Sequence, residues 1–249
     1  MSTADERAGR SALGVDPPPS TGGPPPGPAP IGLAPGAPAE AAGQDAAKYG
    51  STNPVVRRLL DRWMARLREV VGPIGGPTVD VGVGEGLCLE RVLDGPTPPG
   101  CPVVGVEYRL DKARVARRLP GVDVLVGDAG MLPVPDRRAD LVLCIEVLEH
   151  LPSVAPAVAE LARITAGRCV VSVPWEPWFR LGNLGRGKNV RRLGNDPEHV
   201  HWFTPARLRA VMERSFGTVR VVRAFPWIIA EASDPLPGGA AGTAVRPAG

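Results

Sequence analysis

The sequence predicts a doubly wound α/β domain: a mostly parallel sheet of seven strands, helices on both faces, ending in an antiparallel hairpin. Three observations predict it. From Pro77 onward, short β-branched runs alternate with helical patterns. The first five runs are continuously apolar rather than alternating, as expected of strands covered on both faces. The last two stand so close in sequence that they must pair antiparallel, because a parallel pair needs a long crossover.

The elements follow in order. Asn53-Pro54 opens a helix, with Pro54 in the first turn, where a missing N–H costs nothing. Val56, Leu59, Leu60, Trp63, Met64, Leu67, Val70 and Val71 recur at helical spacing, and Gly72-Pro73 stops the run. Thr78–Val81 reads as a strand and Glu85–Leu93 as a helix. Val103–Val106 is the second strand, followed by a basic helix over Asp111–Leu119. Val122–Val126 and Asp140–Ile145 are the third and fourth strands. A helix from about Ser153 to Thr165 leads into the strand Cys169–Val173. Trp175 to His201 breaks the rhythm as a loop-rich insertion. Thr204 caps a helix predicted to reach Phe216, ended by Gly217. Val219–Ala224 and Trp227–Ala230 then form the hairpin around Phe225-Pro226.

Composition sets the boundaries. The chain has 249 residues, 30 of them proline and 31 glycine, yet 43% are hydrophobic and the formal charge is only +3. Proline and glycine crowd the ends. Residues 1–47 alone hold 10 Pro, 8 Gly and 11 Ala, too little apolar surface to offset chain entropy, so a disordered tail is expected there. A similar tail is expected over 232–249, which leaves 48–231 as the folded domain, with 174–203 as its insertion. No apolar run approaches a membrane span, and the polar N-terminus lacks the pattern of a secretory signal. The four cysteines form no CxxC pair, which gives no sign of a metal site, and buried thiols in a reducing cytoplasm are expected. The mild positive charge makes nucleic acid an unlikely partner. Oligomeric state is not legible.

The chemistry centres on Val79-Asp80-Val81-Gly82-Val83-Gly84-Glu85-Gly86, which ends the first strand. Glycines at alternate positions let backbone approach a ligand closely. The spacing is GxGxG; in the dinucleotide pattern GxGxxG the third glycine would fall at Leu87. Acidic residues beside the loop would repel a pyrophosphate but welcome a cationic amino-acid ligand. Glu107 ends the second strand, where a carboxylate can accept from ribose hydroxyls, and Asp128 follows the third, placed for an exocyclic amine. The plainer reading of each carboxylate is a solvated loop residue or a helix cap; their shared position just after strands favours a nucleoside site whose ligand is positively charged.

Four segments in order and spacing carry a resemblance. They are Val79 to Gly86, Val104-Gly105-Val106-Glu107, Gly127-Asp128-Ala129-Gly130-Met131-Leu132-Pro133, and Asp140 to Leu151 with Glu146-Val147-Leu148-Glu149-His150. The chain resembles the class I S-adenosylmethionine-dependent methyltransferases with a Rossmann-like sheet, in the small-molecule group similar to ubiquinone and menaquinone biosynthesis enzymes. The resemblance covers about 75–231; Val83 departs from the small or cysteine residue common there. It implies that Asp80, Gly82, Gly84, Glu85 and Gly86 hold the methionine portion of S-adenosylmethionine. Glu107 would bind the ribose, Tyr108 would lie against the adenine, and Asp128 with Ala129 would read its edge. Glu146 and Val147 would line the pocket below the sulfonium.

The acceptor side is less legible. Methyl transfer needs a general base only where the nucleophile must lose a proton. His150, His199 and His201 are the candidates, against structural readings as a family turn and as loop packing. Of the eleven aromatic residues, eight lie between Trp175 and Trp227. Trp175, Trp178, Phe179 and Arg180 are expected to form a substrate lid, beside the crevice where such folds bind ligands. A peripheral membrane contact through 175–192 is a competing reading, and would imply a lipid-linked substrate. The expected function is methyl transfer to a small-molecule or lipid-linked acceptor, at oxygen. The alternatives are a catalytically silent S-adenosylmethionine-binding module and a nucleotide-linked dehydrogenase.

Overall fold

In the computed structural model the Asn53 side chain accepts from the amides of Val55 and Val56, starting helix α1 (Pro54–Val71) where the sequence predicts it. The structure describes residues 49–95, 97, 99–176, 178 and 200–237. The expected tail 1–47 and most of the insertion lie outside them.

Six further segments alternate as expected: β1 (Thr78–Val81), α2 (Leu87–Leu93), β2 (Val103–Glu107), α3 (Leu110–Ala116), β3 (Val122–Val126) and β4 (Ala139–Ile145). A short 3-10 turn, Leu148–His150, precedes α4 (Val154–Ile164) and β5 (Thr165–Pro174). Helix α5 (Pro205–Met212), β6 (Phe216–Ala224) and β7 (Trp227–Pro235) complete the described fold. The seven strands form one sheet in the order β3-β2-β1-β4-β5-β7-β6. β1 to β5 run parallel, and β7 pairs antiparallel with both β5 and β6.

Both faces are covered, which explains the continuous apolar runs. Along β4, Leu141, Leu143 and Ile145 pack with residues of α1, α2 and α3, including Trp63, Leu67, Leu89 and Ala113. Val142 and Cys144 pack on the other side with Leu161 of α4 and Met212 of α5. Burial of each such large apolar side chain is worth about 1.5–3 kcal/mol. β3 departs from this pattern. It is an edge strand, and Leu125 and Val126 are exposed.

Several boundaries differ from the sequence reading, among them the end of α3 at Ala116 rather than Leu119 and the start of β5 at Thr165 rather than Cys169, and three of the differences have a visible cause. Helix α2 starts at Leu87 rather than Glu85, because Gly84 and Gly86 adopt positive φ of 59° and 86° and leave Glu85 in the loop. Helix α5 stops at Met212, not Phe216. Phe216 instead opens β6 opposite Pro235, so Gly217 sits in a strand and ends no helix. β7 continues past Ala230 and past 231, the expected end of the domain, because Ala232 and Ser233 find ladder partners on both sides, Cys169 and Arg168 of β5, Val219 and Thr218 of β6. No helix among the described residues is long and apolar enough to cross a membrane.

Candidate functional site

The sheet brings the carboxyl ends of β1, β2 and β4 side by side, and the loops leaving them converge. After β1 the chain turns sharply. The amides of Gly82 and Val83 donate to the Val106 carbonyl at 2.7 and 3.2 Å, fastening the loop to β2. Gly82 has φ of 76°, and a Cβ there would lie 2.3 Å from Cγ2 of Val147. Only a residue without a side chain fits, and Val147 packs directly against the loop backbone there.

Two carboxylates flank this loop. Asp80 is 4% exposed and Glu107 8% exposed. Glu107 Oε2 accepts from the Gly84 amide at 2.9 Å, and Oε1 accepts from the Arg109 amide at 2.9 Å. Burial, and then the nearby charge of Glu107, push the Asp80 carboxyl up to about 7. A carboxylate so desolvated favours a neighbouring cation. Arg109 itself pairs with Asp111, whose carboxyl this hydrogen bond holds below its usual range.

Beyond β3, Asp128 Oδ1 accepts from the Gly130 amide at 2.7 Å, and the Met131 amide donates to the Asp128 carbonyl. Asp128 and Tyr108 are exposed; Ala129 and Glu85 are half-buried. Beyond β4, Glu146 stands at φ of 60°, a left-handed backbone that costs a non-glycine residue about 1–2 kcal/mol. Its amide donates to the Ser172 carbonyl at 2.8 Å, and its Oε1 accepts from Nε1 of Trp227. Val147 fills the space that Gly82 leaves empty. The crevice thus gathers Asp80, the Gly82–Gly86 loop, Glu107, Glu146 and Val147.

The remaining expected residues scatter. His150 is exposed at the end of the 3-10 turn. His201 is half-buried, its amide donates to the Glu149 carbonyl at 3.2 Å, and its Nε2 is buried without a hydrogen-bond partner among the described residues. Trp175 packs edge-on against Trp178 and Phe225, with centroids 6.5 and 6.3 Å away, and the Arg223 guanidinium lies over its ring. Phe179, Arg180 and His199 lie outside the described residues. Among the described residues no group of three or more His, Cys, Asp or Glu could hold a metal ion.

Sequence reasoning missed Trp63, Ser172 and Trp227. The only signal was that a buried indole N–H needs an acceptor.

Residues 79–171 match the family model described as a methyltransferase domain. This segment is a methyltransferase domain. Its glycine cradle and buried acids fit S-adenosylmethionine, the cofactor of the family, whose methionine end carries positive charge. Among curated proteins, the chain is 33% identical over 139 residues to a demethylmenaquinone methyltransferase of Renibacterium salmoninarum, covering 54% of this chain and 57% of that one. It is 34% identical over 144 residues to a probable S-adenosylmethionine-dependent methyltransferase of Mycolicibacterium smegmatis, covering 56% of this chain and 51% of that one. The chain spans about half the length of these curated relatives. The methyltransferase domain also shares its fold with solved structures. One is a possible histamine N-methyltransferase of Thermotoga maritima, with TM-score 0.56, 21% identity, 71% of this chain and 88% of that one. Another is the magnesium protoporphyrin IX methyltransferase of Synechocystis with S-adenosylhomocysteine bound, with TM-score 0.55, 17% identity, 78% of this chain and 94% of that one.

Proposed function

We propose that this chain transfers a methyl group from S-adenosylmethionine to a small-molecule or lipid-linked acceptor, at oxygen. The observation that carries the cofactor half is the pair of buried carboxylates, Asp80 and Glu107, on either side of a loop that tolerates no side chain at Gly82. When bound, the cofactor supplies a methyl group made electrophilic by its sulfonium. Asp80 and the Gly82–Gly86 backbone would hold the methionine portion, and Glu107 would exchange its backbone partners for ribose hydroxyls. Asp128 and the Ala129 amide would take the adenine edge. These contacts fix the donor; lowering the barrier is then mostly a matter of near-attack geometry with the acceptor.

The quinone-type substrate in the name of one relative supports an acceptor of that class. The exposed rings of Trp178 and Phe225, grouped at the carboxyl end of β5 and the hairpin turn, support an apolar acceptor body and its lipid-linked form. A hydroxyl acceptor must lose its proton during transfer, and His150 and His201 are the described imidazoles after β4 and before α5. A dehydrogenase finds no support in a buried Asp80 beside the loop, where a pyrophosphate would be repelled.

The test uses S-adenosylmethionine with a carbon-13 methyl group, the purified chain and a fractionated cell extract. Label is expected in an organic-soluble small molecule, at a chemical shift of a methyl on oxygen rather than on nitrogen or ring carbon. Asp80→Ala or Glu107→Ala is expected to abolish cofactor binding and labelling with an unchanged circular dichroism spectrum. Binding without label in any fraction would favour the silent module. Unchanged affinity in both variants would sink the site.

A further inference from the structure

Three strands and a helix converge on one carboxylate. Glu146, at the end of β4, has its Oε1 held by the indole N–H of Trp227 in β7. Trp227 is 4% exposed and stacks on the fully buried Trp63 of α1, with centroids 4.7 Å apart and planes at 19°. Trp63 in turn donates to Ser172 Oγ at 3.0 Å, and Ser172 Oγ donates to the Ile228 carbonyl at 3.3 Å. Ser172 also receives the Glu146 amide on its own carbonyl. A surface carboxylate needs none of this. Here two indoles and a buried hydroxyl fix one glutamate in a left-handed backbone, adjacent to the residue that packs into Gly82.

A fixed carboxylate at that place is a charge detector. The two ligands that must alternate in the crevice, on the reading proposed above, differ by one methyl and one charge. S-adenosylmethionine is a sulfonium cation, and S-adenosylhomocysteine, left when the sulfur–methyl bond breaks, is a neutral thioether. The geometry points to Glu146, positioned by Trp227, as the group that distinguishes methyl donor from spent product. Its carboxylate attracts the sulfonium and loses that attraction on transfer, which favours exchange of product for fresh donor. Trp227 is a positioning residue: it touches the carboxylate and acts through it.

The test needs no acceptor. Titration calorimetry measures both compounds on the full chain and on Glu146→Gln, Trp227→Phe and the double variant, with circular dichroism to verify folding. Glutamine keeps an oxygen for the indole and removes the charge; phenylalanine keeps an aromatic ring against Trp63 and removes the N–H together with part of the indole. Glu146→Gln is expected to weaken S-adenosylmethionine about tenfold and leave S-adenosylhomocysteine within about twofold. Trp227→Phe is expected to shift the same affinity ratio in the same direction by about threefold, with little further effect in the Gln background. An unchanged ratio in Glu146→Gln overturns the proposal, and this variant decides alone if Trp227→Phe does not fold. Fully additive shifts overturn the part assigned to Trp227. A wild-type chain that binds neither compound overturns the cofactor reading itself, which is a separate outcome.

Discussion

Asp80 is held where water cannot solvate its charge, beside a second acid, Glu107. Such a site works against folding. The unfolded chain ionises this carboxyl near 3.8 and the folded chain near 7, so between these values the folded state binds the extra proton. Its contribution to stability is intact below about pH 4 and declines as pH rises to about 7. Asp80→Asn is therefore expected to raise Tm relative to wild type by more at about pH 8 than at about pH 5, and to weaken S-adenosylmethionine binding at both. Wild-type affinity for the cation should itself rise over that range as Asp80 ionises. Thermal melts and calorimetry across pH check both statements; a Tm difference independent of pH would remove the assigned ionisation.

At the scale of elements, the loop after β3 depends on one guanidinium. Arg163 of α4 donates to the carbonyls of Leu132 and Val134 at 3.0 and 2.8 Å and pairs with Glu160 and Asp136. Glu160 returns the bond by accepting from the Leu132 amide at 2.7 Å, and Arg163 holds its carboxyl below the usual range. This two-way clamp fixes the segment that follows Asp128. Arg163→Ala is expected to cost about 1–3 kcal/mol and to speed amide exchange across 131–136 selectively. Exchange mass spectrometry reads it; uniform exchange across the domain would mean that the helix, not the clamp, orders the loop. Neither the clamp nor the tryptophan stack was legible in the sequence. Asn53-Pro54 and Thr204-Pro205 announce their helices locally, and the glycine loop declares itself through spacing. The bond from Trp227 to Glu146 joins residues 81 positions apart, and exists only because the sheet seats β7 beside β5. The end of α5 failed for a related reason: Phe216 fits a helix pattern equally well, and only its pairing with Pro235 makes it strand.

At the scale of the whole molecule, the end of the last described strand follows the ladder rather than composition. The proline after Asp234 and the glycines beyond suggest a tail from 232, yet Ala232 and Ser233 are paired on both sides and Ala232 is buried. We propose 48–237 as the minimal folding unit. A fragment of these residues is expected to melt cooperatively and to bind S-adenosylmethionine as the full chain does. A fragment ending at 231 is expected to lose several kcal/mol, roughly the sum of two lost ladder bonds and one buried apolar residue with their neighbours. Equal Tm values for the two fragments would return the boundary to 231.

The strand order has a consequence for the making of the protein. Among the described strands β7 is the last to be synthesised, but it lies between β5 and β6, and β6 joins the sheet through β7 alone. Until residues 227–235 have left the ribosome, β5 presents an open edge and β6 has no strand to pair with. Trp227 arrives in that same last segment, so the nascent domain acquires the anchor of Glu146 in its crevice only as its sheet closes.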